Sequence, residues 1–399
     1  MVSIDHGSMS AGLALFIFGF LAYTALTLRP NHLKSSNRNY NQPSMLLQPI
    51  LFVGLLSIIL IHTFLLIITN HDVNILRFIL SISLLAFMLA AAFGYASRII
   101  NTSDDSVKRI VNYGLWFLVL NALLPLFNIE LYWHNSLIKP VGVFAEPSHF
   151  GLVLAPILAF ICATNYRHYP KIIAFFFLWS IYIESLVAII AIIFALAIVV
   201  SFKNILSIST AIVFAFGFIV AFGDVEYFTS RMVISSYTYN LSVLVWLNGW
   251  MTAFEMVWQT DGWGSGFQQF GYLNTDLEIS ERVIQLAGII LSRFDGGTVG
   301  AKILGEFGLF GLLAIIAFVI LATRAFFQLR SAYLNNENAA NVLFSSILYT
   351  FTIEVFFRGT GYFSPTGFLL LCALVAVTCK GTLTTSVIRT SKPSNLQPQ

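Results

Sequence analysis

The residues best suited to chemistry in this chain sit in four short segments. In Val141-Gly-Val-Phe-Ala-Glu-Pro-Ser-His-Phe150, Pro147 suits the first turn of a helix, because the amide hydrogen it lacks would be unpaired there anyway. Glu146 then stands at the positive end of the helix dipole, with His149 one turn inside. An acid beside a helix start needs no catalytic duty. A carboxylate and an imidazole at a membrane boundary are nonetheless costly unless paired or facing water, so a proton-transfer pair is the competing reading. Gly262-Trp-Gly-Ser-Gly-Phe-Gln-Gln-Phe-Gly271 offers backbone amides able to hold an anion and two rings, Trp263 and Phe267, able to stack on sugars. A plain tight turn is its simpler alternative.

Lys302 and Glu306, in Arg293-Phe-Asp-Gly-Gly-Thr-Val-Gly-Ala-Lys-Ile-Leu-Gly-Glu306, are spaced i,i+4 and read as a structural ion pair. Glu354 and Arg358 repeat that spacing. Arg358 differs in its setting, Phe356-Phe-Arg-Gly-Thr-Gly-Tyr-Phe363, where the following glycines free its surroundings. A guanidinium there forks onto a phosphate. Arg231, opening the largest loop, and Arg293, closing it, are further phosphate candidates.

The rest of the chain must position these groups in lipid. Hydrophobic residues make up 58% and charged residues 10%, against about 25% charged in soluble domains, which excludes an ordinary cytosolic enzyme. The net charge of +3 is small and its Lys and Arg are scattered, so nucleic acid is not an expected partner. Cys162, Cys372 and Cys379 lie in or at the ends of apolar runs and form no CxxC. No HExxH and no GxxxxGK[ST] occurs, so neither a protein-built metal site, nor a cofactor, nor an ATP motor is expected. The composition predicts an all-α polytopic integral membrane protein.

About 20 apolar residues cross the hydrocarbon core. Eleven such runs are legible: Ala11 to Leu28, Met45 to Thr69, Asn74 to Ser97, Val107 to Phe127, Ser148 to Asn165, Pro170 to Ile183, Leu186 to Ser201, Ile205 to Phe222, Thr298 to Thr323, Ala339 to Phe357 and Pro365 to Cys379. The sixth and seventh are short and are separated only by Glu184-Ser185. With Met1 outside and a real reversal at Glu184-Ser185, fourteen of the 21 basic residues and only three acids, Asp104, Asp105 and Glu337, fall on the inner side. That bias supports eleven spans with the amino terminus periplasmic and the carboxyl terminus cytoplasmic. No Lys or Arg precedes the first span and no cleavage pattern follows it, so it reads as retained. The expected organisation is spans 1–8 in residues 1–222, a large outer loop over 223–297, spans 9–11 in 298–380 and a disordered inner tail over 381–399. A 75-residue loop usually carries function or structure of its own. Within it, Asn240 to Gln259 is helix-length, interrupted by Asn248-Gly249. Thr275-Asp-Leu-Glu278 is a capping-box pattern opening a helix striped with Leu277, Ile284, Ala287 and Leu291. Such helices lie flat on a bilayer or roof a cavity.

One arrangement makes these features coherent. Outward-facing cationic side chains bind a diphosphate, an acid or imidazole takes a proton from a hydroxyl, and aromatics hold sugar. That describes glycosyl transfer from a lipid-linked donor. The motifs also resemble a known family. Gly142-x-Phe-x-Glu-Pro-Ser-x-Phe150 resembles the G-x-F-x-E-P-S signature of O-antigen and exopolysaccharide polymerases (Wzy-type), within the wider polymerase/ligase superfamily. Gly262-Trp-Gly-Ser-Gly-Phe is similar to that superfamily's glycine-rich segment, and Gly300-x-x-x-x-Gly305-Glu-Phe-Gly-Leu-Phe-Gly311 to the motif that opens its next span. Arg358-Gly-x-Gly-Tyr-Phe resembles its late periplasmic arginine motif.

The resemblance implies a bacterial inner-membrane enzyme of GT-C-like architecture. It would join undecaprenyl-diphosphate-linked repeat units, donor and acceptor, on the periplasmic face and release undecaprenyl diphosphate. Glu146 and His149 would handle the proton. Arg358, Arg231 and Arg293 would hold the diphosphate, with Lys139 standing where many relatives carry an arginine. Trp263, Phe267 and Tyr362 would face sugar. Membrane lipid, a chain-length regulator and a flippase are the implied partners. Two alternatives remain in view: a ligase passing the finished glycan to lipid A core, and a polysaccharide transporter or flippase. A flippase usually places polar residues at the bilayer midplane, and these spans carry few charges there.

Overall fold

The computed structural model describes residues 17, 44–69, 73–127, 129, 141–200, 217, 225–273, 275–335 and 337–390. The expected spans Ala11 to Leu28 and Ile205 to Phe222 lie outside them, apart from Ile17 and Gly217, and so does Lys139. All regular structure among the described residues is helical, and a single isolated bridge pairs Val141 with Phe144.

Seven helices precede the large loop or open it: α1 (Ser44–Ile68), α2 (Ile75–Ile100), α3 (Asp104–Leu123, extended as a 3-10 turn through Phe127), α4 (Pro147–Ala163), α5 (Tyr169–Tyr182), α6 (Leu186–Val199) and α7 (Val225–Met232). Six follow: α8 (Leu241–Gln259), α9 (Glu278–Ala287), α10 (Val299–Asn335), α11 (Ala339–Thr350), α12 (Thr352–Phe356) and α13 (Pro365–Thr390). Among the described residues, four stretches are long and apolar enough to cross a membrane: α2, Asp104–Phe127, α10 and Ala339–Phe356. Each of the nine apolar runs that falls on described residues is a helix or a helix pair, as its composition requires.

Capping explains where several of them start. Asn74, Ser185, Asn240 and Asn338 each accept a backbone amide of the first turn that follows, satisfying donors that no helical carbonyl can reach. The break at Glu184-Ser185 is real: Glu184 takes φ 59°, and the Ser185 amide donates to Ser180 O at 2.8 Å. The main core draws Met88 from α2, Leu118 from α3, Leu154 and Leu158 from α4, Phe176 from α5, Ile192 from α6, Leu348 from α11 and Cys372 from α13. α4 lies closest to α6, because Gly151 leaves room for the Ala188 backbone. Outward, Ile79, Leu80, Trp116, Leu313 and Ile320 remain exposed, as lipid-facing positions do.

Tyr349 Oη donates to Phe194 O, joining α11 to the middle of α6, while several other polar contacts join the ends of distant segments. At one end Asp104 accepts from Asn338, and Arg330 donates to Ala197 O. At the other, Asn74 meets Gln269, Trp246 meets Phe356 O, Glu146 meets Arg358 and Gly359 meets Gly297. Each of these end contacts joins segments that the charge bias places on the same side.

Several local expectations change. α8 runs unbroken through Asn248-Gly249, both buried, because Gly249 is where the Gly296 backbone presses against it and Asn248 accepts from Ser280. The residues after Leu273 form no capping box. α9 starts at Glu278 with Leu277 as its cap residue, and no side chain caps it. Its buried stripe is Ile279 and Val283 packed on Leu244 and Val245, while Ile284 is exposed. α13 continues to Thr390, so the expected tail is helical from Gly381 to Thr390, since no proline or further glycine interrupts it there.

α8 neither lies flat nor roofs a cavity alone. It stands parallel to α10, with Gly249 against Gly296, Trp250 against Gly300 and Met256 against Gly305. The glycine turn follows and docks where α10 is interrupted at Gly308 (φ 56°, ψ −130°). The carbonyls freed by that interruption accept from the turn: Gly305 O from the Ser265 amide at 2.9 Å, and Glu306 O from the Gly266 amide at 2.8 Å. Leu309 N donates to Gly262 O at 2.9 Å. Irregular backbone in an apolar setting persists only when its polar groups are satisfied this way. Gly308 sits in a conformation that only glycine adopts readily, and a Cβ there would meet Gly262 O. Gly308→Ala is expected to destabilise the protein by about 2–3 kcal/mol, seen as a lowered melting temperature in detergent, whereas Gly54→Ala, where nothing lies within 4 Å, should leave it unchanged.

Candidate functional site

Glu146 is the cap residue of α4, with extended backbone (φ −139°, ψ 150°), and Pro147 fills the first turn as expected. Its side chain does not cap the helix. Glu146 Oε2 accepts from Ser148 Oγ at 2.8 Å and from Arg358 Nη2 at 2.9 Å. The sequence spacing pairs Arg358 with Glu354 instead, and that pairing is absent. α12 ends at Phe356 and the Arg358 amide closes on Ile353 O, so the i,i+4 register is lost before Arg358 is reached. Glu354 is buried and accepts from Thr360. The segment carrying Arg358 is pressed onto the turn before α10, with the Gly359 amide donating to Gly297 O at 2.9 Å and Val299 N beside the bare Gly359 α-carbon.

His149 completes the cluster, its Nδ1 buried without a hydrogen-bond partner among the described residues. Burial alone would raise the Glu146 carboxyl. The Arg358 guanidinium, His149 and the Ser148 hydroxyl together hold it below the usual carboxylate range. Glu146 therefore binds fewer protons folded than unfolded, and its stabilisation is fully present above the unfolded value, about pH 4.3. It is lost as pH falls through the lower folded value. The melting-temperature advantage of wild type over Glu146→Gln should hold steady from neutral pH to about pH 5 and shrink below about pH 4.

A second polar cluster lies beside the first. Lys302 is 1% exposed, with Nζ bonded to Phe294 O at 2.7 Å and Asp295 Oδ1 at 3.1 Å, and Gln268 Oε1 at 3.5 Å. Its expected partner Glu306, fully buried, is 4.0 Å away. The same ammonium stands 5.1 Å from the centre of the Tyr362 ring. Burial, with the Glu306 carboxylate nearby, pushes the Tyr362 phenol well above its ordinary value, so it stays protonated. Arg77, in the first turn of α2, donates to Gln268 Oε1 and Tyr272 Oη at 3.3 Å each. Sequence reading passed over Arg77. The available signal was a charge in the first turn of an otherwise uncharged span.

The structure thus unites Glu146, His149 and Arg358 from segments more than 200 residues apart. Phe267 and Tyr362 also meet, stacked at 5.8 Å with planes 7° apart. Phe267 is 3% exposed and offers no open face to a sugar, because the glycine turn inserts it between Tyr362 and Phe307. Trp263 is partly exposed against Phe310, and its carbonyl accepts from His62 Nε2. Arg293 Nε donates to Gly271 O at 3.0 Å, which turns this residue toward a cavity between α8 and α9. Arg231 stands in the last turn of α7. No group of three or more His, Cys, Asp or Glu is placed to hold a metal among the described residues. Set against known proteins, the chain matches no family model, no curated sequence and no solved structure.

Proposed function

We propose that this chain is a membrane glycosyltransferase that joins lipid-diphosphate-linked oligosaccharide units, a polymerase of the O-antigen and exopolysaccharide type, acting in the bacterial inner membrane with the Glu146–Arg358 end facing the periplasm. The observation that carries it is the 2.9 Å contact between the Glu-Pro-Ser and Arg-Gly-x-Gly motifs, with an imidazole beside them. A half-buried carboxylate and guanidinium that still touch solvent (38% and 26% exposed) are poised to exchange partners. The incoming diphosphate takes the Arg358 fork, which frees Glu146. The acceptor hydroxyl oxygen then attacks the anomeric carbon, its proton passes to Glu146 or His149, and the carbon–oxygen bond to the diphosphate breaks with the electron pair leaving on phosphate. Arg358 neutralises the charge that develops there. The charge bias supports the sidedness, since the basic inner segments carry Arg98, Lys108, Arg109, Arg167, Lys171 and Arg324.

The test uses purified full-length protein in detergent with a lipid-diphosphate-linked repeat unit and no gradient. Elongated lipid-linked product is the expected result, and its absence with active substrate counts against the reading. Cysteines placed at Ser148 and Gly361 should both label from the periplasmic side. Labelling from opposite sides would dismantle the site.

A further inference from the structure

The cavity beside Arg293 has a volume of about 180 Å³ and lies between α8, α9 and the 290–296 segment. That is well above the space one water needs and below the roughly 300–1,000 Å³ of a drug-sized site, the scale of one sugar ring. Its walls mix apolar surface, from Val245, Phe270 and Leu291, with polar groups that the fold leaves unused. Thr252 is buried (6% exposed), and its hydroxyl makes no hydrogen bond among the described residues. Asn248 spends its Oδ1 on Ser280, at 2.7 Å, and its amide nitrogen has no partner among them. Among the described residues Arg293 hydrogen-bonds only through Nε, with its guanidinium 5.5 Å from the centre of the Phe294 ring, so both amino nitrogens of its fork remain to donate at the cavity. Glu281 and Ser292 supply acceptors along the same wall.

Polar groups with hydrogen-bonding capacity to spare, converging on one cleft with apolar walls, are the usual make-up of a small-ligand site. A diphosphate fits poorly, because Glu281 and Asp276 both line the space. A neutral pyranose suits it: each hydroxyl both donates and accepts, while the ring's C–H surface matches the apolar wall. We propose that this cavity is a monosaccharide subsite, taking one neutral hexose residue of the saccharide that the chain handles. The inference rests on the proposed glycosyl transfer and supplies the sugar contact that buried Phe267 does not. The placement agrees with that role. The turn that carries Arg293 toward the cavity presents Asp295 to Gly361 and Gly297 to Gly359, so the subsite adjoins the Arg358 segment.

Saturation-transfer NMR on full-length wild-type protein in detergent, with glucose, galactose, mannose and N-acetylglucosamine as probes, tests this. At least one hexose is expected to show transfer that falls at least fivefold in Thr252→Val, a change that keeps the side-chain shape, and in Ser280→Ala. The same signal should persist in Arg358→Ala protein. No transfer to any of the four sugars, transfer unaltered in both cavity variants, or displacement of the sugar by inorganic diphosphate would each overturn the subsite. Sugar binding with the expected variant pattern, in a protein that elongates nothing, upholds the subsite and sinks the polymerase reading alone.

Discussion

Replacing Arg358 with alanine should lower the initial rate of chain elongation by about 10²- to 10³-fold, the usual loss when one preorganised donor to a developing anion is removed. The argument starts from position. Arg358 is held by backbone, through its amide on Ile353 O and the next amide on Gly297 O, so its fork is aimed before substrate arrives. Glu146 pairs with that fork at 2.9 Å and keeps the charge from being stranded. Arg358→Lys keeps the charge without the two-pronged geometry and should retain an intermediate rate. Glu146→Gln removes the proton acceptor while still accepting from Ser148, and a loss of about 10²- to 10⁴-fold is expected unless His149 substitutes. The decisive measurement is polymer length on lipid carrier at matched membrane abundance, together with initial rates in detergent. Full-length chains made by Arg358→Ala protein would end the proposal.

The second large effect concerns stability. Lys302→Met should cost about 3–5 kcal/mol, because it leaves the fully buried Glu306 without its cation. The loss is not confined to one pair. Lys302 ties the Phe294-Asp295 turn, Gln268 of the glycine turn and the Tyr362 ring to the first turns of α10, so three chain segments loosen together. Adding Glu306→Leu to Lys302→Met removes the stranded carboxylate and should recover at least about 1 kcal/mol, a coupling that a double-mutant cycle isolates. Thermal melts of the two single variants and the double variant in one detergent provide the test. A Lys302→Met protein that melts with wild type would show that the caged ammonium contributes nothing net.

These two clusters also show how far the sequence could be read. Apolar runs and breaks are local properties, so α1 to α6, α11 and α12 were legible with boundaries within a few residues, as was the turn at Glu184-Ser185. α10 and α13 start where expected but run on past Thr323 and Cys379 to Asn335 and Thr390, because helix propensity continues beyond the apolar stretch. The Glu146–Arg358 meeting had no local signal, since no spacing pattern links residues 212 positions apart; only the charge bias, which put both segments on one face, hinted at it. Failures have a common cause. The i,i+4 rule assigned Glu354 to Arg358 but holds only inside an unbroken helix, and α12 stops at Phe356. It also hid Asp295, whose turn approaches Lys302 more closely than Glu306 does. Gly249 was read as an interruption and Gly264 as part of an anion-holding or plain turn, whereas Gly249, Gly264 and Gly308 are places where another backbone must approach, a fact that depends on the partner segment and not on the residue's neighbours. Phe267 was read as a sugar platform because aromatic type reveals nothing about which neighbour covers it.

The shortness of α5 and α6 has a consequence for the surrounding lipid. At 14 residues each, they extend about 21 Å, while an average hydrocarbon core measures about 30 Å. For helices that span, as the charge bias implies for these two, such hydrophobic mismatch is relieved by thinning of the adjacent leaflets. Ser185, at the junction of the two helices, donates to Pro147 O, so the thinned annulus abuts the residue that follows Glu146. Under the proposed function, phosphate headgroups there would lie closer to the protein's acid–guanidinium pair, and a lipid-linked substrate would reach it with less lifting out of its leaflet.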